Sequence, residues 1–273
     1  MSNARMSEVS FRFYGRLNDF LQANQRGRRF TYVVGALGSV KDTIEALGVP
    51  HPEVDVILVN GTAEDFTCRL RDGDEVAVYP AFRSIDLDRV RRAGADAPLP
   101  VRFALDVHLG KLATLLRLAG FDAVVVAEDA ELANTAARDA RVALTRDVGL
   151  LKRSVVRHGY WVRNTAPESQ LAEVLERFDL VHRMESFTRC ARCNVAVVPV
   201  SAEAVSDRLL PRTRACFREF HICPACGRIY WQGSHYDRLR RLLEQARERA
   251  SAPKEASGSE EPPIEDDMPR EER

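Results

Sequence analysis

No apolar run in the 273-residue sequence approaches the ~20 residues that crossing a bilayer requires. The opening residues, MSNARMSEVSFRFYGR, also lack the apolar core of an export signal. A cytoplasmic protein with no membrane partner is therefore expected. Cysteine is sparse, six in all, and four of the six fall in two CxxC pairs; in a reducing compartment that pattern argues against a disulfide framework and for a metal. Lysine is almost missing: before residue 251 it occurs only as Lys41, Lys111 and Lys152, so arginine carries nearly all the positive charge. Arginine suits bidentate contacts to phosphate, but abundant Arg beside abundant Ala also follows from codon composition, and both readings stay open.

The formal net charge of zero conceals an uneven distribution. From Ser251 onward there are eight acidic residues against Lys254, Arg270 and Arg273, which leaves 37 basic and 32 acidic residues in the body, a charge of +5. The acidic, Pro-containing stretch 251–273 reads as a disordered tail.

The stretch Phe103–Asp147 organises the rest. Its three short apolar runs each end at an acidic residue: FAL at Asp106, AVVVA at Glu128 and Asp129, and VALT, through Arg146, at Asp147. Helix-like segments lie between them. If the runs are parallel strands, right-handed crossovers bring their carboxyl ends to one edge of the sheet, where sites in open α/β sheets gather. Carboxylates crowded there repel unless a cation holds them, which points to a divalent metal and phosphate chemistry. Each Asp has a plainer role as a helix N-cap. That accounts for them singly, is compatible with metal binding, and leaves their shared placement after strands unexplained.

Around this stretch the chain divides into units. Residues 8–82 carry strand-like SFRFYG, a helix beginning near Ser39, the strand VDVILV closed by Asn60-Gly61, a turn at Asp72-Gly73-Asp74 and a last strand stopped by Pro80. The order resembles ubiquitin-like β-grasp domains of the sulfur-carrier type. Here, however, the last strand runs into Pro80-Ala81-Phe82 instead of an exposed Gly-Gly, so a binding or positioning module, open to a protein partner, is expected, or a fold with no site of its own. Residues 83–100 read as a linker. Over 101–182 a helix spans about 107–119, with Leu109, Leu112, Leu115 and Leu116 on one stripe and Gly120 closing it. A second helix covers about 130–140, a third runs from Gly149 toward Gly159, YWVRN forms a strand, and Pro167 starts a further helix. The alternation predicts an α/β unit with a small parallel sheet covered on both faces.

Residues 183–250 hold Cys190-x2-Cys193 and Cys223-x2-Cys226, separated by 29 residues and followed by a basic amphipathic helix. Two CxxC knuckles supply the tetrahedral four-thiolate set of a structural zinc, with no position open for substrate; an iron–sulfur centre or redox dithiol is the competing reading. Cys68 and Cys216 are expected to be buried small apolar residues. Thirteen Arg against seven acids in this segment, with Tyr230, Trp231 and Tyr236, suit an RNA-gripping ribbon. The same aromatics could instead dock on the neighbouring unit.

The ordered motifs LDxxLGKLATLLRLAGFD, EDAEL, ALTRDxxLLK, PESQL, CARCN and CPxCGRIYWxGSH resemble the PIN-like RNase family with a fused zinc ribbon, named from the C-terminus of a mutator exonuclease and often preceded by a ubiquitin-like domain. The likeness spans roughly 8–240. It implies a PIN-type fold and a Mg²⁺- or Mn²⁺-dependent ribonuclease in which Asp106, Asp129 (with Glu128 beside it) and Asp147 are the first three acids of the set. The fourth position falls near Asn164, a departure that weakens the case for turnover. Lys111, Arg117, Arg146 and Lys152 lie close in sequence to that edge as candidate phosphate contacts, each equally readable as a solvated helix residue; His108 is left unassigned. The expected partner is RNA, including structured RNA such as tRNA, and the alternative function is an RNA-binding protein with a degenerate site.

Overall fold

The computed structural model describes residues 7–34, 39–81, 93–94 and 97–251. Most of the expected linker and all but the first residue of the acidic tail lie outside them.

The first unit is a five-stranded sheet in the order β2-β1-β5-β3-β4, built from β1 (Ser7–Phe13), β2 (Phe30–Val34), β3 (Val54–Val59), β4 (Thr62–Glu64) and β5 (Glu75–Pro80) with helix α1 (Val40–Ala46). β1 and β5 pair in parallel and the remaining neighbours are antiparallel, which is the β-grasp arrangement. Local chemistry sets its corners. Ser39 and Asp42 form a reciprocal capping box at the start of α1. Asn60 and Gly61 both take positive φ, 51° and 79°, the backbone that a tight hairpin between β3 and β4 needs.

The second unit is a four-stranded, wholly parallel sheet in the order β7-β6-β8-β9. Its elements are β6 (Phe103–Asp106), α2 (Gly110–Leu118), β7 (Ala123–Val126), α3 (Asp129–Arg138), β8 (Val142–Thr145), α4 (Val148–Leu151), β9 (Gly159–Trp161) and α5 (Pro167–Arg177). Alternate strand residues divide two cores. Phe103, Leu105, Leu144 and Tyr160 pack against α2 and α5, whereas Ala104 and Ala143 meet α3 and α4.

The segment expected as one helix from Gly149 to Gly159 is a single turn. The chain must return in time to open β9, and it does so against Leu151: a Cβ at Gly159 would stand 2.6 Å from Leu151 Cδ2. At Gly120, past the end of α2, φ is +102°, and a Cβ would stand 2.5 Å from the Glu185 carbonyl oxygen. The last helix turn and the chain leading into the ribbon touch there.

The third unit is a three-stranded antiparallel sheet of β10 (Val198–Val200), β11 (Phe220–Ile222) and β12 (Ile229–Tyr230), with the short α6 (Pro211–Cys216) in the long connection. The basic helix α7 (Ser234–Ser251) does not stay with this ribbon. It lays Leu243, Ala246 and Ala250 into the core of the parallel-sheet unit, beside α5. Cys216 is exposed and Cys68 half-buried, contrary to the burial expected of both. Cys216 ends a helix of six residues, none of them buried, so no core was available to receive it. No helix among the described residues is long and apolar enough to cross a membrane.

A candidate acidic edge and a four-cysteine metal centre

β6 and β8 are the central strands, and the connections leaving them run in opposite directions, β6 toward β7 and β8 toward β9. The gap between their carboxyl ends is therefore the topological switch point, where open α/β sheets leave a crevice. Asp106 stands at one lip of it and Thr145-Arg146-Asp147 at the other.

Asp106 is buried and fully engaged. Oδ1 accepts from the backbone N–H groups of His108 and Leu109, at 2.8 and 3.2 Å. Oδ2 accepts from the Thr145 hydroxyl at 2.8 Å and from the Arg146 N–H at 3.3 Å. Thr145 in turn accepts from the Asp147 N–H at 2.9 Å. Asp147 is exposed and caps α4 through Gly149 N–H at 2.7 Å. Asp129 is exposed in the first turn of α3, whose N-cap is Glu128. All three carboxylates thus follow strands of one sheet on its carboxyl edge, and two of them flank the crevice. They are not gathered into one shell: among the described residues the only group of three or more potential ligands within 4.8 Å of one another is the cysteine set.

Asn164 follows β9 at the same edge. Its side-chain N–H donates to Glu173 Oε2 at 2.8 Å, and its backbone N–H to the same oxygen at 3.0 Å. Lys111 and Arg146 are exposed at this edge, in the first turn of α2 and directly after β8. The other two expected phosphate contacts are committed elsewhere. Lys152 donates to the Glu45 carbonyl of the β-grasp unit at 2.6 Å. Arg117 lies at the far end of α2, toward the amino edge, and donates to the carbonyls of Ala123, Ala191 and Arg192 at 2.8 to 3.0 Å. Seven residues of helix at ~1.5 Å each carry it about 10 Å from the start of α2.

Cys190, Cys193, Cys223 and Cys226 place their sulfurs within 4.8 Å of one another. Two equivalent knuckles produce this. In each, the first Cys N–H bonds to the carbonyl five residues on, Val195 or Arg228, and its carbonyl accepts from the N–H four residues on, that of Asn194 or Gly227. Asn194 and Gly227 both hold positive φ, 67° and 70°, the conformation Gly and Asn adopt most readily. Cys190 receives hydrogen bonds from the Tyr230 hydroxyl at 3.0 Å and the Cys193 N–H at 3.3 Å. Burial alone would push its thiol up, but these bonds outweigh that and bring it down to about 6, favouring the thiolate a metal needs. Four soft donors at this spacing suit zinc, and with all four positions taken by protein the ion would be structural.

The flanking units close the two edges of the parallel sheet. On β7, the outward Ala123 N–H donates to Asn194 Oδ1 at 3.0 Å, and Asn194 Nδ2 donates to Asp122 at 2.7 Å. Asp122 also pairs with Arg141 at 2.6 Å. On β9, the outward Trp161 N–H donates to Glu53 Oε1 of the β-grasp unit at 2.7 Å. His51 Nε2 lies 2.8 Å from the Val156 carbonyl, and Arg16 donates to the Tyr160 hydroxyl at 2.7 Å. Phe20 packs on Trp161 with ring centroids 5.2 Å apart. Glu53 is 1% exposed. Burial raises its carboxyl above the usual range, against the pull of Arg163 and the Trp161 N–H.

The sequence pointed to Asp106 and to the cysteines, but it did not point to Thr145, Asn194 or Glu53. For Asn194 a signal existed: it occupies the place after CxxC that Gly227 holds in the second pair. Thr145 and Glu53 are ordinary residue types whose partners are 39 and 108 positions away.

A β-grasp unit, a parallel α/β unit with acids at its switch point and a four-cysteine ribbon together define a ubiquitin-like module fused to a ribonuclease-type domain. Residues 101–243 match the family model described as Mut7-C RNAse domain, and residues 6–86 match Mut7-C ubiquitin. The chain belongs to the Mut7-C RNAse domain family. No curated protein and no solved structure matches it.

Proposed function

We propose that this protein is a metal-dependent ribonuclease that hydrolyses RNA phosphodiester bonds at the carboxyl edge of the parallel sheet. The observation that carries this reading is the coincidence of the Mut7-C RNAse match with the buried, fully oriented Asp106 at the switch point between β6 and β8. The donors there are carboxylate oxygens, which suit Mg²⁺ or Mn²⁺. Magnesium is commonly held by one or two protein carboxylates together with waters and substrate phosphates, so a spread set need not close into a full shell. Asp106, giving up the long 3.3 Å bond from the Arg146 N–H, and Asp147 would hold the ion across the crevice, with Asp129 on its outer side. Once bound, such an ion makes water a better nucleophile and offsets charge on the leaving oxygen. Lys111 and Arg146 would attract and orient phosphates at that edge. The ribbon contributes RNA affinity through its excess of arginine, and the β-grasp unit contributes by covering β9.

A second reading, an RNA-binding protein without turnover, is favoured by one observation: Asn164 stands where a fourth acid is expected and spends its side chain on Glu173. Labelled single-stranded and structured RNA, incubated with Mn²⁺ and the purified protein, would separate the two. Cleavage that falls at least a hundredfold in Asp106→Asn and clearly in Asp147→Asn supports the nuclease. Binding without cleavage supports the second reading, and cleavage unchanged in both variants sinks the proposed site.

A further inference from the structure

A cleft of about 700 Å³ lies away from the acidic edge, between the ribbon, the second half of α2 and the start of α7. Its walls combine Phe187, Tyr230, Trp231 and Tyr236 with Thr114 and Arg228. Apolar walls with a few convergent polar groups are the usual make-up of a ligand site.

Three features indicate a built surface. Phe187 holds φ +66°, a conformation costly for a bulky residue, and its ring packs against Tyr236, tilted by 37° with centroids 4.2 Å apart. Gly233 lets the Trp231 indole lie against the chain, since a Cβ there would stand 2.8 Å from the indole nitrogen. Tyr230 is fixed through its hydroxyl, which donates to Cys190 and accepts from the Ala191 N–H, so its ring cannot swing away while the metal centre is intact. Trp231 nevertheless remains 38% exposed. Arg189 and Arg228 line the cleft against one acid, Glu219, within a segment, 183–250, that carries thirteen arginines against seven acids, so the balance of charge around it is positive.

We infer that this cleft binds an unpaired RNA base, stacked against Trp231 and the Phe187–Tyr236 pair, with its phosphate met by Arg228. Flat aromatic surfaces beside arginine are what single-stranded nucleic acid recognition uses, and every base offers a face to stack. The inference rests on the ribonuclease reading only in taking RNA as the ligand. Thr114 and Leu118 line the cleft while Lys111 stands at the acidic edge, so α2 spans from one site to the other. The RNA would be held a few nucleotides away from the bond that is cut, and unpaired there.

The test uses the zinc-loaded full chain without added magnesium or manganese. Its probe is a single-stranded oligoribonucleotide carrying 2-aminopurine, with a blunt RNA duplex for comparison. Stacking should quench the probe, the duplex should bind more weakly, and Trp231→Ala and Tyr236→Ala should each lower single-strand affinity about tenfold or more and relieve the quench. Zinc content is measured for every variant, and Trp231→Leu and Tyr236→Leu replace any alanine variant that loses zinc. Absence of RNA binding at low salt overturns the inference, as does binding whose affinity and quench are unchanged in zinc-loaded variants of both residues. Quenching without any cleavage on later addition of Mn²⁺ would leave the cleft standing and remove the nuclease reading. Cleavage without quenching would do the reverse.

Discussion

The Thr145 hydroxyl donates to Asp106 Oδ2 at 2.8 Å while accepting from the Asp147 N–H at 2.9 Å. One side chain thus fixes the central carboxylate and the start of the turn that carries the next. Replacing it by Val keeps the shape and removes both bonds. Thr145→Val should cost about 1–3 kcal/mol, the usual penalty for leaving a buried polar atom short of a partner, and lower RNA cleavage at least tenfold. Thr145→Ser should retain most of both. Urea unfolding and cleavage rates check this, and a Val variant with full activity would show that Asp106 needs no such support.

Glu53 tests the joint between the β-grasp and parallel-sheet units. Its carboxyl is raised by burial, so the folded protein favours the protonated form. The stability it contributes is complete below the ordinary glutamate range and is lost as pH rises through the raised value. Glu53→Gln keeps an acceptor for the Trp161 N–H without the charge. Thermal melts should show the variant equal to or more stable than the parent at pH 8, with the difference shrinking toward pH 4. A variant that is weakened more at pH 8 than at pH 4 would mean that pairing with Arg163, at 3.5 Å, outweighs burial.

Metal analysis should find about one zinc per chain, held by Cys190, Cys193, Cys223 and Cys226. Tyr230→Phe removes the hydroxyl that bonds to Cys190, and losses of this kind typically cost 10–100-fold in metal affinity. Competition with a chromophoric chelator measures it. Complete zinc removal should free the first knuckle from β7, seen as faster amide exchange at Ala123 and proteolysis near Arg189.

Asn194 combines a left-handed backbone with a side chain that meets Ala123 and Asp122. The two contributions separate by substitution. Asn194→Gly removes only the side-chain bonds and should cost about 1–2 kcal/mol. Asn194→Ala adds the strain of positive φ, roughly 1 kcal/mol more. Equal losses in the two variants would contradict the left-handed assignment.

Much of the central unit was legible because its strands are continuous apolar runs. FALD, AVVV and VALT are bounded by acids or turns, and each became one strand of β6 to β8. The two knuckles were legible from spacing alone. What the sequence could not display was either too short or too distant. β4, β10, β11 and β12 have two or three residues, too few for a period to register. α7 reads as a basic amphipathic helix, but its apolar stripe of Leu239, Leu242, Leu243, Ala246 and Ala250 does not say which unit it packs against. Arg117 and Lys152 stand near the acids in sequence, yet a helix or a domain contact carries their charges away. Sequence proximity to a strand end is a guide to position only within the first turn that follows it.

The closure of both margins of the parallel sheet sets how the chain can be divided. A fragment spanning only 101–182 would lack Glu53 against the Trp161 N–H and Asn194 against the Ala123 N–H. It would also lose the α7 side chains that complete one of its cores. Such a fragment would offer two open strands to any neighbour of its own kind and should self-associate. In this chain the parallel sheet therefore keeps both margins covered only together with the β-grasp unit on one side and the ribbon and α7 on the other.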